Sequence, residues 1–238
     1  MRTYRTSEVA DIIGIHPNTV RFYEEWGLIT KPEREKNGYR IFTELHLQQI
    51  RLARMAFQIE VLQNGLRKKI VEVVKTTAKC DFERALCITQ EYISMLQKER
   101  VNAEEAIEIV QDIFSGAEHT PHKDEEELLM KRNGYRVYTY KDIQRLKIIR
   151  SLRCANYSLE AILRMLRQLS QNPNADIREA LNTPGQNEDI ISVCDKLLVS
   201  LAAAEKNAEA IMKMLNERFL CRRAIPFSEL KEKDSLSA

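Results

Sequence analysis

Asn18, Thr19, Arg21 and Tyr23 lie within one short stretch of the sequence, Ile15 to Arg40, IHPNTVRFYEEWGLITKPEREKNGYR. An amide, a hydroxyl, a guanidinium and a phenol at this spacing can hydrogen-bond to base edges and phosphate oxygens of a nucleic-acid duplex. A second group, Lys36, Tyr39 and Arg40, brackets Asn37-Gly38, a pair that favours a hairpin turn. The chemistry on offer is non-covalent recognition of an anionic polymer.

Covalent chemistry has no comparable foothold. The four histidines (His16, His46, His119, His122) pair with no nucleophile motif and there is no Gly-rich phosphate loop, so no enzyme is expected. Five cysteines (Cys80, Cys87, Cys154, Cys194, Cys221) are odd in number and widely spread, as reduced thiols of a cytoplasmic protein would be. No cofactor and no metal site is expected.

The recognition residues need a helix and a support. Pro17 suits a first helical turn, with His16 as the N-cap neighbour, and Gly27 suits the exit, where φ is positive. Within this helix Val20 and Trp26 are assigned to the inward face. The support is Thr6 to Ile13, with Thr6 or Ser7 as cap and Val9, Ile12 and Ile13 as an apolar stripe, and Gly14 makes the turn between the two helices. Lys31 to Lys36 reads as a charged strand that returns through Tyr39 to Phe42, a wing beside the helix-turn-helix. Thr43 then caps a helix to Phe57, and Asn64-Gly65 breaks the chain before a basic helix, Leu66 to Val74.

Thr6-Ser7-Glu8-Val9-Ala10, Val20-Arg21-Phe22-Tyr23-Glu24, Gly27-Leu28-Ile29 and Asn37-Gly38-Tyr39-Arg40 together resemble the N-terminal domain of the MerR family of bacterial transcription regulators. The resemblance covers roughly the first third of the chain. It implies a winged helix-turn-helix followed by a long antiparallel coiled coil, a homodimer on a pseudo-palindromic promoter, distortion of that DNA, and RNA polymerase as the beneficiary. It also gives Cys80 a second meaning, because metal-responsive members carry a thiolate just ahead of the coil. The later cysteine pair of those members is missing, and Cys87 lies two helical turns on, too far to share an ion unaided.

Charge is patterned along the chain. The net charge is +2, yet residues 1–75 carry 13 basic against 9 acidic residues, 76–130 carry 5 against 13, 131–178 carry 11 against 3, and the remainder 8 against 10. Two basic lobes suit phosphate contact, with acidic segments held away from it. The N-terminus is too polar for a signal peptide and no apolar run approaches membrane-spanning length, so a cytoplasmic protein is expected.

From Leu86 the apolar spacing alternates between three and four: Leu86, Thr89, Ile93, Leu96, Arg100, Ala103, Ile107, Val110, Phe114. This heptad seam requires a partner helix, either of another subunit or later in the same chain. Leu86, Ile93, Leu96, Ile107 and Val110 are the candidate dimerisation residues. Residues 116–130 read as an acidic linker. Then Asn133-Gly134-Tyr135-Arg136 repeats Asn37-Gly38-Tyr39-Arg40 at an offset of 133 − 37 = 96, and 7 of 18 positions are identical between 37–54 and 133–150. Lys131, Arg132, Tyr135 and Arg136 are candidate DNA contacts of this second lobe. Ser158 caps a following helix, Asn172 to Glu188 reads as a turn-rich connection, and a second seam runs Ile190, Cys194, Leu197, Leu201, Ala204, Ala208, Ile211, Leu215. The second copy has no counterpart of the helix-turn-helix.

The expected architecture is mainly α, with a small β-wing: a DNA-binding domain over 1–75, a coiled-coil helix over 80–115, a linker, a degenerate second lobe over 131–171, a second coil over 189–220 and a tail over 221–238. The expected function is promoter regulation. The competing readings are an architectural or partner-binding DNA protein without effector response, and a metal- or thiol-responsive regulator. The effector is not specified by the sequence.

Overall fold

The computed structural model describes residues 2–59, 63–116, 138–172, 174–182 and 196–223. The protein is mainly helical. Strand β1 (Thr3–Tyr4) leads into α1 (Thr6–Ile13) and α2 (Pro17–Glu25), followed by the wing strands β2 (Glu33–Arg34) and β3 (Arg40–Thr43). Helix α3 (Glu44–Phe57) and α4 (Leu66–Ala78) precede a long helix, α5 (Phe82–Gly116). The second half holds α6 (Tyr140–Cys154), α7 (Leu159–Gln171), a short α8 (Ile177–Asn182) and α9 (Leu197–Arg223).

The sheet has the order β1-β3-β2, antiparallel throughout, with Tyr4 opposite Phe42 and Arg34 opposite Arg40. Strand β1 was not expected: two residues are too short for a period-two signal. Because it runs straight into α1, Arg5 rather than Thr6 or Ser7 is the N-cap, and its N–H donates to Glu8 Oε2 at 2.6 Å. Gly14 ends α1 in the left-handed region, φ +71°, which a side chain would resist.

The N-terminal core gathers Tyr4, Val9, Ala10, Val20, Ile29, Phe42, Leu47 and Ile50, with Ile13 and Tyr23 packed against it. Each fully buried Val, Leu or Ile contributes about 1.5–3 kcal/mol, so this small cluster is what holds α1, α2 and the wing in one body. Asn64 and Gly65 both take positive φ and break the chain before α4, and Thr43 caps α3 with its N–H donating to His46 Nδ1 at 3.0 Å.

The chain divides into two compact units, one of residues up to Leu96 together with the chain from Ala203, the other of Gln97 to Ala202. In the second unit Ser158 Oγ accepts from Ala161 N–H at 3.0 Å and starts α7. Helix α8 falls in the stretch expected to be turns. Buried Ile177, Ala180 and Leu181 anchor it, and Arg164 donates to the carbonyls of Ala180 and Leu181 at its C-terminal end.

The repeat has a structural consequence. At the 96-residue offset, Tyr138, Ile143 and Leu146 correspond to Phe42, Leu47 and Ile50. The first three are 47%, 40% and 50% exposed, and the second three at most 2%. Among the described residues no helix-turn-helix covers the second set. The second wing, with Lys131, Arg132, Tyr135 and Arg136, and the acidic linker lie outside the described residues, as do Ile190, Cys194 and the tail beyond 223.

The first seam is not left open. Ile93, Leu96, Ala103, Ile107 and Val110 are buried with a single chain present, while Leu86 is half-buried. The described part of the second seam, Leu197, Leu201, Ala204, Ala208, Ile211 and Leu215, is buried throughout.

Candidate nucleic-acid interface

Helix α2 is set at both ends. Pro17 occupies its first turn, the His16 ring accepts from Asn18 N–H at 3.2 Å, and Gly27 (φ +65°) turns the chain so that Leu28 N–H returns to the Tyr23 carbonyl at 2.9 Å. Val20 is fully buried and fixes the rotation of the helix. That leaves Asn18 and Arg21 exposed and Thr19 half-buried, with Arg21 Nη1 donating to Asn18 Oδ1 at 3.1 Å. This pair presents an amide and a guanidinium together, the two groups best suited to base edges.

Tyr23 is half-buried against the core, and burial pushes its phenol above the ordinary value, with Arg54 opposing. It therefore stays a neutral hydroxyl at physiological pH, able to donate to a phosphate oxygen.

The wing is a three-residue hairpin loop rather than a two-residue one. Gly38 N–H donates to the Glu35 carbonyl at 2.8 Å, Glu35 N–H to the Tyr39 carbonyl at 2.9 Å, and Gly38 sits at φ +85°. This is a type I turn closed by a left-handed glycine. Asn37 supports it from the side, its Oδ1 accepting from Tyr39 N–H at 3.0 Å. Lys36 is exposed at the tip, and Tyr39, 61% exposed, lies under the Arg5 guanidinium at 5.7 Å.

Arg40 is placed differently from its neighbours. Its Nε donates to Glu24 Oε2, and Arg34 approaches Glu24 Oε1 at 3.7 Å, so one nearly buried carboxylate ties α2 to both wing strands. The guanidinium positions the wing as much as it offers contact. Arg34 and Arg5 join the cluster although sequence reasoning missed them. Arg34 could have been found from its place opposite Arg40 across the hairpin.

Trp26 does not face inward. It is 69% exposed and Phe22 55%, and the two border an apolar hollow of about 640 Å³ shared with Leu28, Phe57, Arg67 and Val71. Its position one step past the helix, as C-cap, removes it from the face that Val20 defines.

Behind α2 a buried amide links three elements. Gln49 accepts from Thr30 N–H at 2.9 Å and donates to the Thr30 hydroxyl and the Thr77 carbonyl, and Thr30 Oγ1 donates to the Ala78 carbonyl at 2.6 Å. The exit of α2 is thereby joined to the end of α4, two residues before Cys80 begins the approach to α5. Cys80 lies 3.5 Å from Thr30 Oγ1. Cys80, Cys87 and Cys154 are unbridged thiols, and no group of three or more His, Cys, Asp or Glu among the described residues could hold a metal ion. No helix among them is long and apolar enough to cross a membrane.

Comparison with known proteins supplies an independent view. The model of the MerR HTH family of regulatory proteins matches residues 4–65 and again 123–169. The chain is similar to the HTH-type transcriptional regulator CueR of Escherichia coli, 49% identical over 53 residues, which is 22% of this chain and 39% of that protein. It is similar to the mercuric resistance operon regulatory protein of Bacillus cereus, 31% identical over 77 residues, 32% of this chain and 58% of the relative. The HTH-type transcriptional regulator ZntR of Escherichia coli is 31% identical over 65 residues, 27% of this chain and 46% of its own length. The chain thus spans about two fifths to three fifths of the curated relatives it matches. No solved structure matches it. The second match, 123–169, overlaps the lobe that the internal repeat identified.

Proposed function

We propose, on the match to the MerR HTH family model and the likeness to CueR, that the chain recognises a specific promoter duplex and distorts it to control transcription by RNA polymerase. Helix α2 enters the major groove with Asn18, Thr19 and Arg21 toward base edges, while Tyr23, Lys36 and Tyr39 hold flanking phosphates and Arg40 steadies the wing. The observation that carries this reading is the Glu24 ion pair, which ties α2 to both wing strands so that their exposed side chains can meet one duplex. The basic second lobe adds phosphate contacts without base preference of its own.

A footprint tests it. One bounded protected site per promoter, with enhanced cleavage at its centre where the duplex is distorted, is the expected result. Uniform protection independent of sequence would favour the architectural reading instead. Once that site is known, Arg21→Ala should weaken binding about tenfold or more at fixed salt, and Lys36→Ala should lower the salt dependence by about one phosphate contact. Unchanged isotherms for both would remove the site assignment.

A thiol-responsive version of the same function draws on one observation, the position of Cys80 beside the Thr30–Gln49 network that runs from the reading helix to the coil.

A further inference from the structure

Each compact unit mixes the two repeats. Helix α5 begins in the unit of the first head and ends in that of the second, and α9 does the reverse. On the first head, Asn207 of α9 donates to the Met55 carbonyl and to Gln58 Oε1, both at 3.3 Å, at the C-terminal end of α3. Ala204, Ala208 and Ile211 line a narrow seam there with Tyr92, Ala56 and Ile70. Burial in this packing pushes the Tyr92 phenol up to about 12.

The second head shows the reciprocal arrangement. Asn156 Nδ2 donates to Glu99 Oε2 at 3.0 Å and the Tyr157 hydroxyl to the Ala103 carbonyl at 3.5 Å, at the C-terminal end of α6. Arg178 adds an ion pair to Glu104 at 3.9 Å. Helix α6 is the repeat counterpart of α3, since 44 + 96 = 140. The two grips therefore fall at corresponding ends of corresponding helices, and each head is completed by the coil of the other repeat.

A second copy of a protein commonly supplies such an exchange. Here the chain carries its own. We infer that the second repeat takes the place of a partner subunit, so that the protein is a monomer whose coil seams are filled within one chain and which carries a single reading head. The homodimer implied by the family resemblance gives way to the other occupant that the seam allowed, a later helix of the same chain. Ala204 and Ala208, both buried, are the small residues that let that helix come close. A second chain would have to displace residues such as Leu96, Val110, Leu201 and Ile211, all at most 1% exposed.

The monomer does not depend on the DNA-binding reading; the single reading head does. Sedimentation equilibrium of the full chain without DNA, from low to high micromolar concentration, should give 27.7 kDa at every concentration. The melting temperature should not change over the same range, because unfolding of a monomer is unimolecular. A species of twice that mass, or a melting temperature that climbs with concentration, overturns the inference. Two differently tagged copies expressed together should not co-purify, and their co-purification overturns it equally. On the operator, one chain per duplex is the expected stoichiometry. A chain of single mass that binds no specific duplex would refute the proposed function and leave the replacement of the partner intact.

Discussion

The Glu24 side chain, 8% exposed, lies between the guanidiniums of Arg34 and Arg40. Removing one partner of such a pair leaves the others desolvated without compensation, which is why the pair defines orientation more than it adds stability. His46 is the other residue whose environment dictates its chemistry. It is buried beside Phe42, with its ring 5.5 Å away edge-on, and desolvation holds its pKa below the ordinary value. The folded state therefore binds fewer protons than the unfolded one just below pH 6.5, so its stabilising contribution is present above that pH and declines as pH falls through the folded pKa. Thermal melts should show the first unit losing stability below about pH 6.5, and His46→Gln should flatten that dependence. An identical pH profile in the variant would assign the effect elsewhere.

At the scale of elements, the wing depends on one backbone conformation. Gly38 at φ +85° has open space where a Cβ would stand, so Gly38→Ala meets no clash, only the strain of the left-handed region, about 1–2 kcal/mol. The core residues Phe42 and Leu47 are untouched by that change. Gly38→Ala should weaken operator binding several-fold while the melting temperature moves by only a few degrees, and loss of the whole fold would show that the hairpin is not a separable element. These elements were legible in the sequence to different degrees. Pro17, Gly14 and Gly27 punctuate the helix-turn-helix so firmly that both helices could be placed within a residue or so. Trp26 was misplaced because an apolar residue one step beyond a helix end no longer follows its periodicity. Strand β1 was too short to alternate, and α8 was hidden between Pro173 and Pro184, where three buried residues outweigh the turn signals around them.

At the scale of the whole molecule, the heptad spacing of Leu86 to Phe114 announced that a helix must be covered but could not say by which chain. Periodicity encodes a face, and the identity of what lies on it depends on tertiary contacts such as that of Asn156 with Glu99. The internal repeat held that information in weaker form, because two coils in one chain can satisfy each other.

The bare trio Tyr138, Ile143 and Leu146 stands at the positions that the first copy covers with its two leading helices. Side chains whose counterparts serve as mortar are here exterior wall. Leu146→Lys should therefore leave the melting temperature within about a degree or two and improve solubility, since an exposed substitution far from core contacts changes stability by roughly ±0.5 kcal/mol. The matching change on the first copy, Ile50→Lys, places an ammonium where no water reaches and should unfold the reading head. Equal tolerance at both positions would mean that the two copies have not diverged in what they carry on their backs.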